Sequence, residues 1–241
     1  MQGLNQLLSK LKQQYPEDWW LERRLVSETI FPGSFPQEKI YDQALHFLDS
    51  DSWEVLSKHA IKAFSEPDNE RGKSQFFSLL NESLAYQYLV QKEASLIRLL
   101  PRIKNKQTPD IKYIFDGQIL YCEVKTISIS NEEIIRSKSG QVFDNHIYQE
   151  LSLSFLDKLR KTINNALNQI AAVGSGFVYV IINFDDFTLD HYARYEEQIL
   201  EWCVTKTDRE RKPSLSCFTL DEGRPLAEGL QDHLANYLMR L

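Results

Sequence analysis

The order of signals along the chain predicts an α/β sandwich with a mixed sheet. Three observations carry that prediction. Asp116-Gly117 separates two strand-like runs, Ile111 to Phe115 and Gln118 to Val124. A long amphipathic stretch, Asn145 to Ala172, follows the second run. Phe177 to Phe184 is then almost continuously apolar, as a strand covered on both faces should be. A helix between two strands carries the chain to a parallel neighbour in a right-handed sense. A hairpin followed by such a crossover mixes antiparallel and parallel pairing.

The elements can be justified in order. Met1 to Lys12 reads as a short amphipathic helix with Leu4, Leu7, Leu8 and Leu11 on one side. Pro16-Glu17-Asp18 places proline and acids where a second helix starts, ahead of Leu21, Leu25 and Val26. Phe31-Pro32-Gly33-Ser34-Phe35-Pro36 breaks that pattern. Asp51-Ser52-Trp53-Glu54 has the spacing of a capping box, which predicts a helix start there. Trp19-Trp20 beside Arg23-Arg24 can stack on bases, but burial in a core is the favoured expectation.

Ser65 to Lys73 is polar and holds Pro67 and Gly72, so it marks a boundary. A helix is expected from about Ser74 to Lys92, and a short strand from Ser95 to Leu100. Pro101 to Thr108 is a basic loop. Asp-Gly between apolar runs is a strong hairpin signal, because both turn positions need residues that tolerate positive φ. Asn131 to Gln141 is a polar loop. In the long helix, Leu151, Phe155, Leu159, Ile163, Leu167 and Ile170 line one side, and Gly174-Ser175-Gly176 ends it. His191 to Val204 reads as helix, Ser214 to Leu220 as an edge strand, and Leu226 to Arg240 as a terminal helix.

Composition limits the function classes. The chain has 241 residues, 42% hydrophobic and 26% charged, ordinary for a globular protein. No apolar run approaches membrane-span length, and the first residues lack a signal-peptide core. Cys122, Cys203 and Cys217 are widely spaced and odd in number, which points to reduced thiols and a cytoplasmic location. Net charge is −6, but Arg102 to Lys138 holds seven Lys and Arg against five Asp and Glu. That segment is +2, which suits a polyanionic substrate nearby.

Within it lie Asp110, Glu123 and Lys125. If Phe115 faces Gln118 across a two-residue turn, paired residues have numbers summing to 233, and Asp110 faces Glu123. Directly opposite side chains share a face, about 5 Å apart. Lys125, two residues past Glu123, shares that face too. Two carboxylates so close repel unless a cation intervenes, and an all-oxygen set suits Mg²⁺ or Mn²⁺. The backbone carbonyl of Val124 is a further oxygen ligand, and Lys125 can orient a water or stabilise charge on a phosphate. Glu82 lies on a helical stripe with Leu79, Ala85, Tyr86 and Leu89, so its carboxylate needs a partner, directly at the metal or through water.

Glu82, Pro109-Asp110 and Glu123-Val124-Lys125, on helix, strand and strand, resemble the PD-(D/E)xK nuclease superfamily. The resemblance covers about Ser74 to Phe184. It implies a restriction-endonuclease-like αβββαβ core and Mg²⁺-dependent phosphodiester hydrolysis, usually of DNA. By that likeness Asp110 and Glu123 are metal ligands, Lys125 is the catalytic lysine and Glu82 the accessory acid. The expected organisation is an N-terminal helical region, 1–68, a nuclease-like core, 69–187, and a C-terminal extension, 188–241. Arg102, Lys104, Lys106, Arg136 and Lys138, with Lys158 and Lys161 on the long helix, are the expected phosphate contacts. A two-strand cut favours a homodimer or larger assembly. The alternative is a catalytically inactive module of the same fold that binds nucleic acid or a protein partner; the net acidity favours it. His146 reads as structural, and no His/Cys cluster has zinc spacing.

Overall fold

The computed structural model describes residues 3–22, 36–65, 73–103, 107–127, 139, 149–182, 191–206 and 214–219. The expectations for the polar loop at 131–141 and for a terminal helix at 226–240 lie outside these residues, apart from Ser139. The chain divides into two compact units, Met1–Cys122 and Glu123–Leu241. The strands are ordered β1-β2-β3-β4-β5 in one mixed sheet: β1 Ser95–Leu99, β2 Ile111–Phe115, β3 Gln118–Ile127, β4 Ser175–Ile182 and β5 Ser214–Thr219. The α/β class with a mixed sheet flanked by helices is therefore as expected from the sequence.

The first unit opens with α1, Leu4–Gln14, whose Leu4, Leu7, Leu8 and Leu11 are all buried, as their spacing requires. Asp18 Oδ1 then accepts from the Trp20 and Leu21 N–H groups at 3.0 and 3.3 Å, capping the turn that begins at Trp19. Three helices follow: α2 Pro36–Leu45, α3 Ser50–Phe64 and α4 Ser74–Gln91. The start of α3 corrects the sequence expectation. Its N-cap is Asp49, not Asp51, with the Asp49 carboxylate accepting from the Ser52 N–H at 2.8 Å. Asp49 wins because its carboxylate has further partners in Arg98 and the Tyr86 hydroxyl. Asp51 instead supplies the acid of the first turn.

The tryptophans also differ from expectation. Trp19 is 59% exposed. Trp20 is half-buried, its ring centroid 5.8 Å from both Phe64 and Phe77. One residue's advance along a helix rotates the side chain by about 100°, so neighbouring tryptophans cannot share a face.

Helix α4 is buried without a break from Leu79 to Tyr86. Such a helix is fixed by contacts all round. Tyr41 on α2 donates to Asn81 Oδ1 at 2.7 Å, and burial pushes the Tyr41 phenol well above its usual range. Tyr86 donates to the Ile97 carbonyl of β1 at 3.3 Å. The Ser52 hydroxyl of α3 accepts from the Leu99 N–H at 3.1 Å. Helices α3 and α4 are thus both tied to β1.

Strands β1 and β2 are antiparallel, with Leu99 facing Ile111 and Leu100 N–H donating to the Asp110 carbonyl at 2.8 Å. The β2–β3 hairpin turns at Asp116 (φ 48°) and Gly117 (φ 72°), two left-handed residues in succession as a primed turn needs. Phe115 faces Gln118 and each further pair follows in step to Ile111 and Cys122, the register read from sequence.

In the second unit, α5 runs Leu153–Ala171 and packs on β4. Its start corrects the expected Asn145. Gln149 to Ser152 are not helical, and the Ser152 hydroxyl caps the helix by accepting from the Phe155 N–H at 3.2 Å. Leu159, Ile163, Ala166 and Ile170 form the buried stripe. Strand β4 is buried from Phe177 to Ile182, as its apolar run predicts. It pairs in parallel with β5 from Phe177–Ser214 to Ile182–Thr219, and α6, Tyr192–Lys206, lies on the connection. Ser214–Thr219 is an edge strand, as expected.

Candidate active site

Each unit holds a cluster built from sequence-predicted residues. In the first, Glu82 lies in the stretch of α4 that is buried on every side, and it is 3% exposed. Asp110, 9% exposed, precedes β2 and follows the buried Pro109. Arg102 reaches both: one nitrogen, Nη2, lies 2.8 Å from Glu82 Oε1 and 3.7 Å from Asp110 Oδ1. The two carboxylates are therefore no farther apart than the sum of those distances. Two buried carboxylates beside one guanidinium satisfy the rule that buried charge needs a counter-charge.

In the second, Glu123 is 2% exposed within β3, between the buried Val124 and the buried thiol of Cys122 on its other side. Lys125 Nζ lies 2.5 Å from Glu123 Oε1, as two same-face residues of a strand allow. Gln169 of α5 donates to Glu123 Oε2 at 2.9 Å. The sequence reading missed Gln169. Its signal was present, since Gln169 sits between the apolar stripe residues Ala166 and Ile170, but a glutamine at a stripe's edge is ordinary.

The expected phosphate contacts fare differently. Arg102 is turned onto the carboxylates, with a side chain that remains 59% exposed. Lys158 and Lys161 are exposed on α5. Lys104, Lys106, Arg136 and Lys138 lie outside the described residues, as does His146. Among the described residues, no group of three or more His, Cys, Asp or Glu side chains is arranged to hold a metal ion. The donors of the Glu82–Asp110 pair and of Glu123 are nonetheless buried carboxylate oxygens, the chemistry that a hard cation fits.

His59 on α3 is a further residue that sequence reading passed over. Its Nδ1 atom is buried with no hydrogen-bond partner among the described residues. Burial, then the charges of Arg102, Lys58 and Lys62, hold its pKa below the usual 6.5. The fold thus opposes protonation, and the unfolded chain binds the proton more readily. Stability from this group is complete above pH 6.5 and is lost as the pH falls through 6.5 toward the lower folded value. The expected result is a urea midpoint that drops on acidification from pH 7.5 to about 5.5. His59→Gln should flatten that drop; an unchanged pH profile in the variant rejects the assignment.

Compared with family models, with curated proteins and with solved structures, the chain gives no significant match. Among the described residues, no helix is long and apolar enough to cross a membrane.

Proposed function

We propose that the chain is a metal-dependent nuclease that hydrolyses phosphodiester bonds, with DNA as the first-choice substrate and an endonucleolytic cut. One observation carries the reading: Glu82, Asp110 and Glu123 are all buried, and each lies beside a cation. They occupy a helix, the residue before a strand and a strand, the places that the PD-(D/E)xK pattern gives them. The join between Asp110 and Glu123 rests on register. Counted along the sequence from the Asp116-Gly117 turn, residues whose numbers sum to 233 pair, and that count sets Asp110 with Glu123.

In this reading Asp110, Glu123 and the Val124 carbonyl hold Mg²⁺ or Mn²⁺, with Glu82 as the accessory acid. The chemistry that such a cation supplies when bound is a more acidic water and a counter-charge for the phosphate. Gln169 fixes the Glu123 carboxylate by donating to one oxygen, leaving its rotamer little freedom. The Lys125 ammonium serves as a point charge toward the attacked phosphate. The exposed Lys158 and Lys161, and the basic residues 104, 106, 136 and 138, supply phosphate contacts.

A second reading has its own support. Arg102 and Lys125 already set a cation beside each carboxylate, as they would in a static module that binds nucleic acid or a protein partner without turnover. A cleavage panel with Mg²⁺ or Mn²⁺ on linear, circular, single-stranded and branched DNA, and on RNA, separates the two. Metal-dependent cleavage that Asp110→Ala reduces by at least a hundred-fold, on the order of a lost charge-stabilising group, is the expected outcome. Cleavage that survives both chelation and Asp110→Ala rejects the proposal.

A further inference from the structure

Arg102 stands out among the cations near the carboxylates. Its guanidinium serves two acids that are almost wholly buried, yet its own side chain is 59% exposed. The acids are fixed. Glu82 sits on a helix buried all round, and Asp110 is anchored by the Leu100 N–H donated to its carbonyl. The arginine lies on the non-regular segment after β1, two residues beyond Leu100. The cluster therefore pairs immobile anions with a cation whose approach is from solvent.

Energetics favour exchange of that cation. An ion pair with an exposed partner contributes roughly 0–1 kcal/mol, because water competes for the guanidinium. The buried carboxylates lose far more if left with no counter-charge. Their requirement is for positive charge, and a divalent ion meets it with twice the charge at about 2.0–2.1 Å from oxygen for Mg²⁺. Arg102 and a divalent ion cannot both occupy the space facing Glu82 Oε1 and Asp110 Oδ1. Once displaced, the guanidinium is left at the rim of the same cluster with its planar fork free to bind a phosphate through two N–H groups.

We infer that Arg102 is an exchangeable counter-ion: it supplies the positive charge beside Glu82 and Asp110 when no divalent cation is bound, and turns to a substrate phosphate when one is. The first half concerns the carboxylate pair alone. The second half rests on the nuclease reading. The arrangement keeps one positive charge beside both carboxylates of the empty cluster, so the buried acids never face each other without a cation. It also makes phosphate binding at this position conditional on the metal.

The test titrates Mn²⁺ into the full-length protein by calorimetry, comparing wild type with Arg102→Gln and Arg102→Lys. A fluorescein-labelled DNA duplex is titrated separately, with Ca²⁺ in place of Mn²⁺ to slow turnover. Removing the competitor should tighten Mn²⁺ binding by about five-fold, the worth of one exposed ion pair. Duplex affinity should fall about ten-fold, the worth of a charge-assisted contact. Arg102→Lys keeps the counter-charge but not the fork, so its Mn²⁺ affinity should stay near wild type while duplex binding falls. Circular dichroism melts establish that each variant is folded, and the lysine variant carries the test if the glutamine variant is not. Equal or weaker Mn²⁺ binding by folded Arg102→Gln overturns the inference, as does an absence of Mn²⁺ binding by every form. Tighter Mn²⁺ binding without any cleavage by wild type sinks the nuclease reading and leaves the exchange standing. Cleavage with an unchanged Mn²⁺ affinity in Arg102→Gln does the reverse.

Discussion

Lys125→Ala should abolish metal-dependent cleavage and leave the fold in place. The expected loss is about 10²–10³-fold in single-turnover rate, the usual effect of removing one group that stabilises developing charge. The argument starts from the strand. Lys125 follows Glu123 by two residues in β3, so both side chains leave on one face, and Nζ lies 2.5 Å from the buried carboxylate. The Lys125 side chain is 31% exposed, so it is within reach of solvent and of a bound substrate. Stability should fall by up to about 3–5 kcal/mol, the cost of removing one partner from a buried carboxylate. Gln169 continues to donate to the other Glu123 oxygen and limits the damage. Lys125→Arg is the discriminating control. It restores the counter-charge, and so the thermal stability, without restoring a compact point charge at the same place. Wild-type cleavage by folded Lys125→Ala would remove this residue from the mechanism and weaken the whole assignment.

What the sequence made legible follows from how local each determinant is. The hairpin register depended on Asp116-Gly117 and on counting, and both turn residues do adopt positive φ with Phe115 facing Gln118. The burial of Glu82 is read from a stripe with Leu79, Ala85, Tyr86 and Leu89; all four are buried with it, but so is every residue from Leu79 to Tyr86, which the stripe does not foretell. The errors arose where two local signals compete. Asp49 and Asp51 both suit an N-cap, and the choice was made by Arg98 and Tyr86, distant in sequence. Ser152 ends the apparent helical stripe at its N-terminal side because its hydroxyl offers the backbone a cap that periodicity does not register. Gln169 and the turn of Arg102 onto Glu82 and Asp110 are tertiary facts. A residue that is polar, common and plausible on any surface reveals such a role only when its partner's position is known.

Phe64→Ala should be the most damaging of the packing substitutions in the first unit, costing about 3–5 kcal/mol. Phe64 is the last residue of α3 and is wholly buried. Its ring lies 5.4 Å from Phe76, 5.6 Å from Tyr15 and 5.8 Å from Trp20, centroid to centroid. The Trp20 and Phe76 contacts are edge-on and the Tyr15 contact tilted; such contacts add to the area buried, and truncation leaves a cavity that three rigid rings cannot collapse to fill. Lys73 also sits 3.9 Å over the Phe64 ring while donating to Asp18 and to the Phe64 carbonyl. The substitution removes the ring contact but not the two hydrogen bonds. Phe76 belongs to the first turn of α4, the helix that presents Glu82 one face further on. The effect should therefore appear as a lower urea midpoint with an unchanged slope, together with normal activity per folded molecule at low temperature. Phe64→Leu should recover much of the loss, because it refills most of the volume. A loss below about 1 kcal/mol in Phe64→Ala would mean that the aromatic cluster relaxes around the cavity and does not set the seat of α4. A specific loss of activity at full folding would instead tie this packing to the placement of the Glu82 carboxylate.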